Sequence, residues 1–168
     1  MVVLRTLHML VLTRRLAHSG AETAFDTQLL TLSLTADQRT RSRHRFTTDD
    51  GQPVHLQLPR GTVLHNGDVL VPDCDRIRIK ILAKPEPVLT VTASTPLDLL
   101  RGAYHLGNRH VALEVALNHL RLAPDPVLET MLVQLGLSVT HDTTPFNPEV
   151  GAYGNAALPS HHPHVHAH

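Results

Sequence analysis

Histidine is the residue type whose number and placement in this 168-residue chain most directly indicate chemistry. The chain has 14 histidines, and five of them fall within its last eight residues: His161, His162, His164, His166 and His168. A short His-rich tract is a compositional sign of metal binding, and imidazole suits nickel, copper and zinc better than calcium or magnesium. The alternatives are an expression tag and a solvated tail. Because Pro163, Val165 and Ala167 interrupt the histidines, unlike those of a usual tag, metal binding is the favoured interpretation.

A second pair of candidate ligands lies in the segment YHLGNRH, residues 104–110. The pattern predicts that His105 stays on a helix, while the Gly-Asn pair turns the chain and brings His110 to the start of the next strand. From the residues alone, each of these two histidines is either a metal ligand or a structural side chain.

Four arginines alternate along the chain and are predicted to share one face of a strand: Arg39, Arg41, Arg43 and Arg45. Such a row could bind an anionic ligand or be a solvated strand face. The neutral charge of the whole chain and the adjacent Asp49-Asp50 pair favour the solvated face.

The composition argues against several functional classes. Fifteen Lys and Arg residues balance 15 Asp and Glu residues, whereas a nucleic-acid-binding protein carries a basic excess. Cys74 is the single cysteine and cannot form an internal disulfide or a cysteine-rich metal site; a bystander role is favoured over a ligand or a reactive thiol. The chain lacks a phosphate-binding loop, a nucleophile elbow and a zinc-protease helix motif. We therefore expect a protein that is not an enzyme.

The sequence also predicts a cytoplasmic protein with no membrane partner. No segment reaches the roughly 18 consecutive apolar residues of a membrane span. The apolar start of the chain is interrupted by Arg5 and His8, and no convincing small-residue cleavage site follows it, as a signal peptide would require.

The first half of the chain reads as short strands, and we expect a small all-β domain over residues 1–75. In residues 29–34, alternation places Leu30, Leu32 and Leu34 on one face. Asp50-Gly51 and Asn66-Gly67 are hairpin signals, because tight turns need residues that accept a positive φ. A further strand is expected at residues 76–81, and residues 84–87 (KPEP) are expected to form a linker.

The pattern of the second half predicts a ferredoxin-like domain. Together with the all-β first half, this gives an expected fold class of α+β. Thr95-Pro96 and Asp125-Pro126 are helix starts, and strands are expected at residues 88–93, 111–117, 120–122 and 137–140. The order strand–helix–strand–strand–helix–strand is that of the split βαβ fold. We assign residues 76–150 to this domain and residues 151–168 to a disordered His-rich tail.

Three segments, in this order, resemble the UreE family of urease accessory proteins, which are nickel metallochaperones. Residues 34–45 (LTADQRTRSRHR), with Asp50-Gly51, resemble the family's N-terminal domain. The YHLGNRH segment matches its most specific motif. Residues 145–154 (PFNPEVGAYG), followed by the His-rich tail, match its C-terminal layout. The resemblance covers essentially the whole chain.

The resemblance implies a function and a set of ligands. It implies an N-terminal β domain of the partner- or peptide-binding type and a metal-binding domain that forms a homodimer. His110 would be the essential ligand, with two copies meeting across the dimer axis and the five tail histidines completing the shell, while His105 would be structural. The cargo would be Ni(II), which this protein would deliver to apo-urease while acting together with the urease accessory GTPase.

Three points stay open in this interpretation. Some family members carry a His-x-His pair before the second helix, where this chain has Pro124-Asp125-Pro126, so any further metal must use the tail or a weaker candidate such as His119. The alternative function is a His-rich metal store or buffer without a dedicated partner. Zn(II) or Cu(II) could also bind, because binding strength at imidazole sites favours copper.

Overall fold

The computed structural model describes residues 8–16, 28–72 and 77–150, and these form two strand-rich units. Cys74 and the tail, residues 151–168, lie outside the described residues. The elements, in chain order, are β1 (Leu10–Leu16), β2 (Gln28–Leu34), α1 (Ala36–Arg39), β3 (Arg43–Thr47), β4 (Pro53–Gln57), β5 (Val69–Pro72), β6 (Ile77–Ala83), β7 (Pro85–Thr92), α2 (Pro96–Gly107), β8 (Glu114–Val115), β9 (Leu120–Leu122), α3 (Pro126–Gln134) and β10 (Ser138–Pro145). The α+β class predicted from the sequence is confirmed.

The N-terminal unit is one six-stranded sheet in the order β2-β6-β5-β1-β4-β3. The predicted alternation in β2 is confirmed, since Leu30, Leu32 and Leu34 are all buried in its core. Strand β6 pairs with both β2 and β5, so the sheet runs through Ala83 and not only to residue 75 as expected. The reason is tertiary: β6 finds its partners in the first half of the chain, although it adjoins the second half in sequence.

The two glycine turns have different surroundings. Gly51, at φ 92°, lies in the turn between β3 and β4 as predicted. Gly67, at φ 91°, also lies in a turn. The hairpin predicted there would need a strand before it, at residues 62–65, and these residues form no strand, so this turn does not join two strands. Instead it lies against β6, where the Gly67 N–H donates to the Ile81 carbonyl at 2.8 Å.

The predicted arginine row does not form as a single strand face. Thr35 caps a short helix, and its hydroxyl and the Gln38 side chain each accept a bond from the other's backbone N–H. Arg39 is the last residue of this helix, α1, and is buried. Only Arg43 and Arg45 share a strand, because the capping box turns the chain before β3 begins.

The C-terminal unit has the predicted order of elements, with sheet order β10-β7-β9-β8 and every pair antiparallel. The expected linker at residues 84–87 is wrong, because Pro85 to Pro87 are the first residues of β7. Prolines are tolerated at a strand edge, where no ladder donor is needed. Strand β9 pairs with β7 only at residues 89–91, so β7 borders β10 alone at these prolines.

Both helices of this unit begin as predicted, with Thr95 and Asp125 as their N-caps. The spacing of apolar residues in the sequence predicts one apolar side for α2, made of Leu97, Leu100, Tyr104 and Leu106. The structure buries Leu106, together with Leu99, against the sheet and leaves the other three exposed. The strand expected at residues 111–117 is reduced to Glu114–Val115, because the turn that follows α2 occupies its start.

Candidate metal centre

His110 lies immediately after α2 in a left-handed backbone conformation, with φ 56°. Its N–H donates to the Gly107 carbonyl at 2.9 Å, and the Val111 N–H donates to the Leu106 carbonyl at 3.3 Å. These two bonds are those of a Schellman turn, and His110 takes the position that glycine usually occupies. Among the described non-glycine residues, His110 is the one with positive φ. Residues held in this region concentrate at functional sites, so the conformation singles His110 out on structural grounds.

The His110 side chain is available for coordination. The residue is exposed, and its ring has no hydrogen-bond partner within the part of the chain that the structure describes. Because Leu106 and Val111, on either side of the turn, both contact the apolar core of the unit, the backbone that carries His110 is anchored. This arrangement presents a free imidazole to solvent on a fixed support.

His105 has a different setting within α2. It is half-buried, and its ring meets the Tyr104 ring edge-on at 5.4 Å between centroids. Its carbonyl accepts a bond from the Arg109 guanidinium at 2.9 Å, which closes the last turn of the helix. These contacts suit a structural residue.

His119 lies on the loop before β9 and is mostly buried. Its Nδ1 is 2.9 Å from the Asn118 side-chain oxygen, and its Nε2 lies 3.9 Å from a Glu114 carboxylate oxygen without hydrogen bonding to any group. Over residues 8–16, 28–72 and 77–150, no three His, Cys, Asp or Glu side chains are grouped to hold a metal ion. The described part of one chain therefore offers His110 as a candidate ligand and contains no group of three such side chains around it.

The helix that ends at His110 also carries an exposed apolar stripe. Leu97, Leu100 and Tyr104 are spaced three and four residues apart and thus share one face. Their exposed fractions are 55%, 67% and 66%. An exposed apolar helix face of this kind is a candidate interaction surface.

A polar junction, which the sequence does not predict, lies where the two units meet. Arg39 of α1 donates to the Phe146 carbonyl and to the Asn147 side chain, 107 and 108 residues further along the chain. Glu114 accepts a bond from the Asn147 N–H at 2.6 Å. No local pattern signals these contacts, because each depends on how two distant segments pack.

The predicted tail ligands, His161, His162, His164, His166 and His168, lie outside the described residues, and so does Cys74. Within the described chain, no helix is both long enough and apolar enough to cross a membrane.

Comparison with known proteins identifies the family. The model of the UreE urease accessory protein N-terminal domain matches residues 12–83, and that of the C-terminal domain matches residues 86–168. The urease accessory protein UreE of Nostoc sp. PCC 7120 is 58% identical over 135 residues, which are 80% of this chain and 88% of that protein. The protein of the same name from Nostoc punctiforme is 56% identical over 142 residues, 84% of this chain and 90% of that protein. That from Microcystis aeruginosa is 51% identical over 147 residues, covering 86% and 92% of the two chains. This chain belongs to the UreE family of urease accessory proteins, a family of accessory proteins rather than of catalysts.

Proposed function

We propose that this protein is a cytoplasmic nickel metallochaperone that delivers Ni(II) during maturation of the urease active site. The observation that carries the proposal is His110, an exposed imidazole on an anchored backbone of unusual conformation at the end of α2. An accessory role for urease follows from the family, and imidazole is a suitable ligand for divalent nickel.

The second part of the proposal is a homodimer formed through α2. Burying the stripe of Leu97, Leu100 and Tyr104 against a second copy would remove apolar surface from water, which favours association. A two-fold axis at this helix would bring two His110 side chains to one shared nickel ion. A single substitution tests the interface: Leu100→Glu should convert dimer to monomer in sedimentation. Val133→Glu, at a similarly exposed position on α3, should leave the dimer intact. Retention of the dimer in Leu100→Glu would contradict the interface.

The third part concerns the tail histidines. Five imidazoles tethered to the same chain act at a high effective concentration, so they would complete the coordination shell of the shared ion. Such ligands exchange faster than a closed thiolate cage, which suits a carrier that must release its cargo. Transfer would follow when the urease accessory GTPase, bound to apo-urease, displaces the tail ligands.

The two units would divide these tasks. We propose that the C-terminal unit is a ferredoxin-like domain for metal binding and dimerisation, since its strand order and antiparallel pairing suit that fold. The N-terminal sheet would be the partner- or peptide-binding domain, so it has a role that a metal store would not require.

Two measurements test the proposed function. Nickel titration by calorimetry should give one tight site per dimer, which His110→Ala abolishes and His105→Ala preserves. Co-purification with the urease accessory GTPase should require nickel. Nickel binding without any such complex would favour the metal store, and tight binding that persists in His110→Ala would exclude His110 as the ligand.

A further inference from the structure

Strand β3 is an edge strand, and half of its backbone groups point away from its neighbour. It lies at one end of the six-stranded sheet and pairs with β4 alone. The Thr48 N–H donates to the Gln52 carbonyl, and the Leu58 N–H donates to the Ser42 carbonyl. Because bonded and non-bonded residues alternate in an antiparallel ladder, the even-numbered residues of β3 are those that bond β4. The odd-numbered residues direct their N–H and C=O groups away from β4: Arg43, Arg45 and Thr47.

The outward side of this strand is able to bond another chain segment. The next outward residue, Asp49, does so, since its N–H donates to the Thr31 carbonyl of β2 at 2.9 Å. The Asp49 carboxylate also accepts bonds from the Ser33 N–H and hydroxyl, at 3.2 Å and 2.9 Å. Over residues 43–47, in contrast, the described chain supplies no partner for the outward groups. About 17 Å of extended backbone is therefore open to an added strand.

Arg43 and Arg45 give this edge a positive charge on one face. Directly opposite them on β4 are Gln57 and His55, which share that face and are not acidic. Both arginines are exposed, and neither forms an ion pair or a side-chain hydrogen bond with any residue that the structure describes. Two guanidinium groups thus lie two residues apart on one face without a described countercharge.

The other face of β3 carries two rings. Phe46 is half-buried and packs against the core of the N-terminal unit, and the His44 ring lies 4.6 Å from it between centroids. Successive residues of a strand point to opposite faces. A strand that places acidic side chains beside the two arginines therefore places its intervening residues beside these rings. This edge is complementary to an extended segment in which acidic and apolar residues alternate.

We propose that the free edge of β3 binds an extended acidic segment of a partner protein by strand addition. Main-chain hydrogen bonds to residues 43, 45 and 47 provide affinity, and carboxylates beside Arg43 and Arg45 provide specificity. A second copy of this chain does not fit, because pairing two β3 edges brings the arginines of both copies together, and charges on an edge strand oppose such pairing. The proposal rests on the partner-binding role proposed above for the N-terminal sheet and names the chemistry of the partner.

Solvent exchange of amides, followed by NMR on the full-length, metal-free protein, tests the edge directly. The probe is the synthetic peptide acetyl-TEVEVET-amide. In the free protein, the outward amides of residues 43, 45 and 47 should exchange rapidly, whereas β4 protects those of residues 44 and 46. At about ten times its dissociation constant, the peptide should slow exchange of the outward amides about tenfold. Unchanged exchange at the outward amides would overturn the proposal.

Control peptides separate the charge from the strand. The peptide acetyl-TKVKVKT-amide keeps the strand propensity and reverses the charge, and it should not slow exchange. Two N-methylated versions of the acidic peptide, one methylated at its glutamates and one at its valines, keep every side chain and charge. In either strand direction, one of them blocks the N–H groups that pair with β3. Equal protection by the lysine peptide, or undiminished binding of both methylated peptides, would overturn the proposal.

Substitution of the two arginines tests the charge on the protein. An opposite-charge pair across a ladder changes affinity by about 1.4- to 5-fold, so the combined variant Arg43→Gln and Arg45→Gln should bind the acidic peptide about 2- to 25-fold more weakly. Lys80→Gln is the control, because Lys80 is exposed on β6, which has a strand on each side, and its affinity should not change. Equal binding by the arginine variant and the control would contradict the role of the arginines.

Nickel calorimetry keeps this proposal apart from the proposed function. The arginine variant should keep the tight nickel site, because neither arginine is a proposed ligand. If the unmodified protein binds nickel tightly but not the acidic peptide, strand addition at β3 is wrong and the nickel carrier stands. If it protects the outward amides with the peptide but has no tight nickel site, the proposed function fails and the peptide site stands.

Discussion

Replacing His110 by glycine should raise the stability of the metal-free protein while abolishing its tight nickel site. At φ 56°, the left-handed conformation destabilises the folded state by roughly 1–2 kcal/mol when the residue has a Cβ atom. Glycine adopts this conformation without that cost. About 0.5–1 kcal/mol of this stabilisation is offset, because glycine gives the unfolded chain more conformational entropy. The net stabilisation is therefore about 0.5–1 kcal/mol, which corresponds to a rise in melting temperature of about 1–4 °C for a chain of this size.

The assay is urea or thermal denaturation in the presence of a chelator, paired with nickel calorimetry on the same preparations. His110→Ala is the matched control, because alanine removes the imidazole but keeps the Cβ atom in the left-handed conformation. Both variants should lose the tight site, and only the glycine variant should gain stability.

Two outcomes would refute this reasoning. If the glycine and alanine variants are equally stable, the backbone at position 110 does not carry the cost assigned to it. If the glycine variant keeps tight nickel binding, His110 is not the ligand, and its conformation needs another explanation.

Three further predictions concern the tail and the effect of pH. Deletion of residues 160–168 should leave apo stability and the dimer intact and lower the nickel bound per dimer by calorimetry; a drop of several degrees in melting temperature would show that the tail supports the fold. Nickel affinity should fall steeply between pH 7 and pH 5, with more than one proton released per metal ion bound. The reason is that ligating imidazoles must be neutral, and the ordinary histidine pKa is about 6.5. Constant affinity down to pH 5.5 would exclude histidine as the dominant ligand. Burial alone would raise the pKa of the Asp49 carboxyl, but hydrogen bonds from Thr31 and Ser33 hold it below its usual value. The stability that Asp49 contributes is thus present above about pH 4 and is lost as the pH falls through the lowered pKa. In urea titrations, the Asp49→Asn variant should therefore lose less stability than the unmodified protein between pH 5 and pH 3. Equal losses in the two proteins would contradict this.

Much of the local structure could be predicted because it depends on neighbouring residues. Alternation identified the buried face of β2, and the Thr95-Pro96 and Asp125-Pro126 pairs located the starts of α2 and α3. His110 was singled out from the YHLGNRH segment and the resemblance that it carries. Its left-handed conformation was not predicted, because the Schellman turn places a histidine where glycine is the usual residue.

The errors have one physical cause, which is that partners far apart in sequence decide them. Pro85 and Pro87 lie in the segment predicted to be a linker. They belong to a strand instead, because β10, more than 50 residues later in the chain, pairs with them. The spacing of Leu97, Leu100, Tyr104 and Leu106 predicts one buried side of α2. Of these four residues, the sheet covers only Leu106, which it buries together with Leu99. A helical repeat shows which residues share a face but not which face meets the sheet.

By itself, the sequence determined the α+β class, the helix caps, the glycine turns and the histidines available as ligands, since each follows from residue type and short-range spacing. Only the tertiary structure decided that Arg39 leaves the predicted arginine row and binds residues 146 and 147. Burying a charged side chain requires acceptors at defined positions, and those acceptors come from a segment more than 100 residues away. Such a contact exists only once both units have folded and met, because neither segment alone carries a pattern that specifies the other.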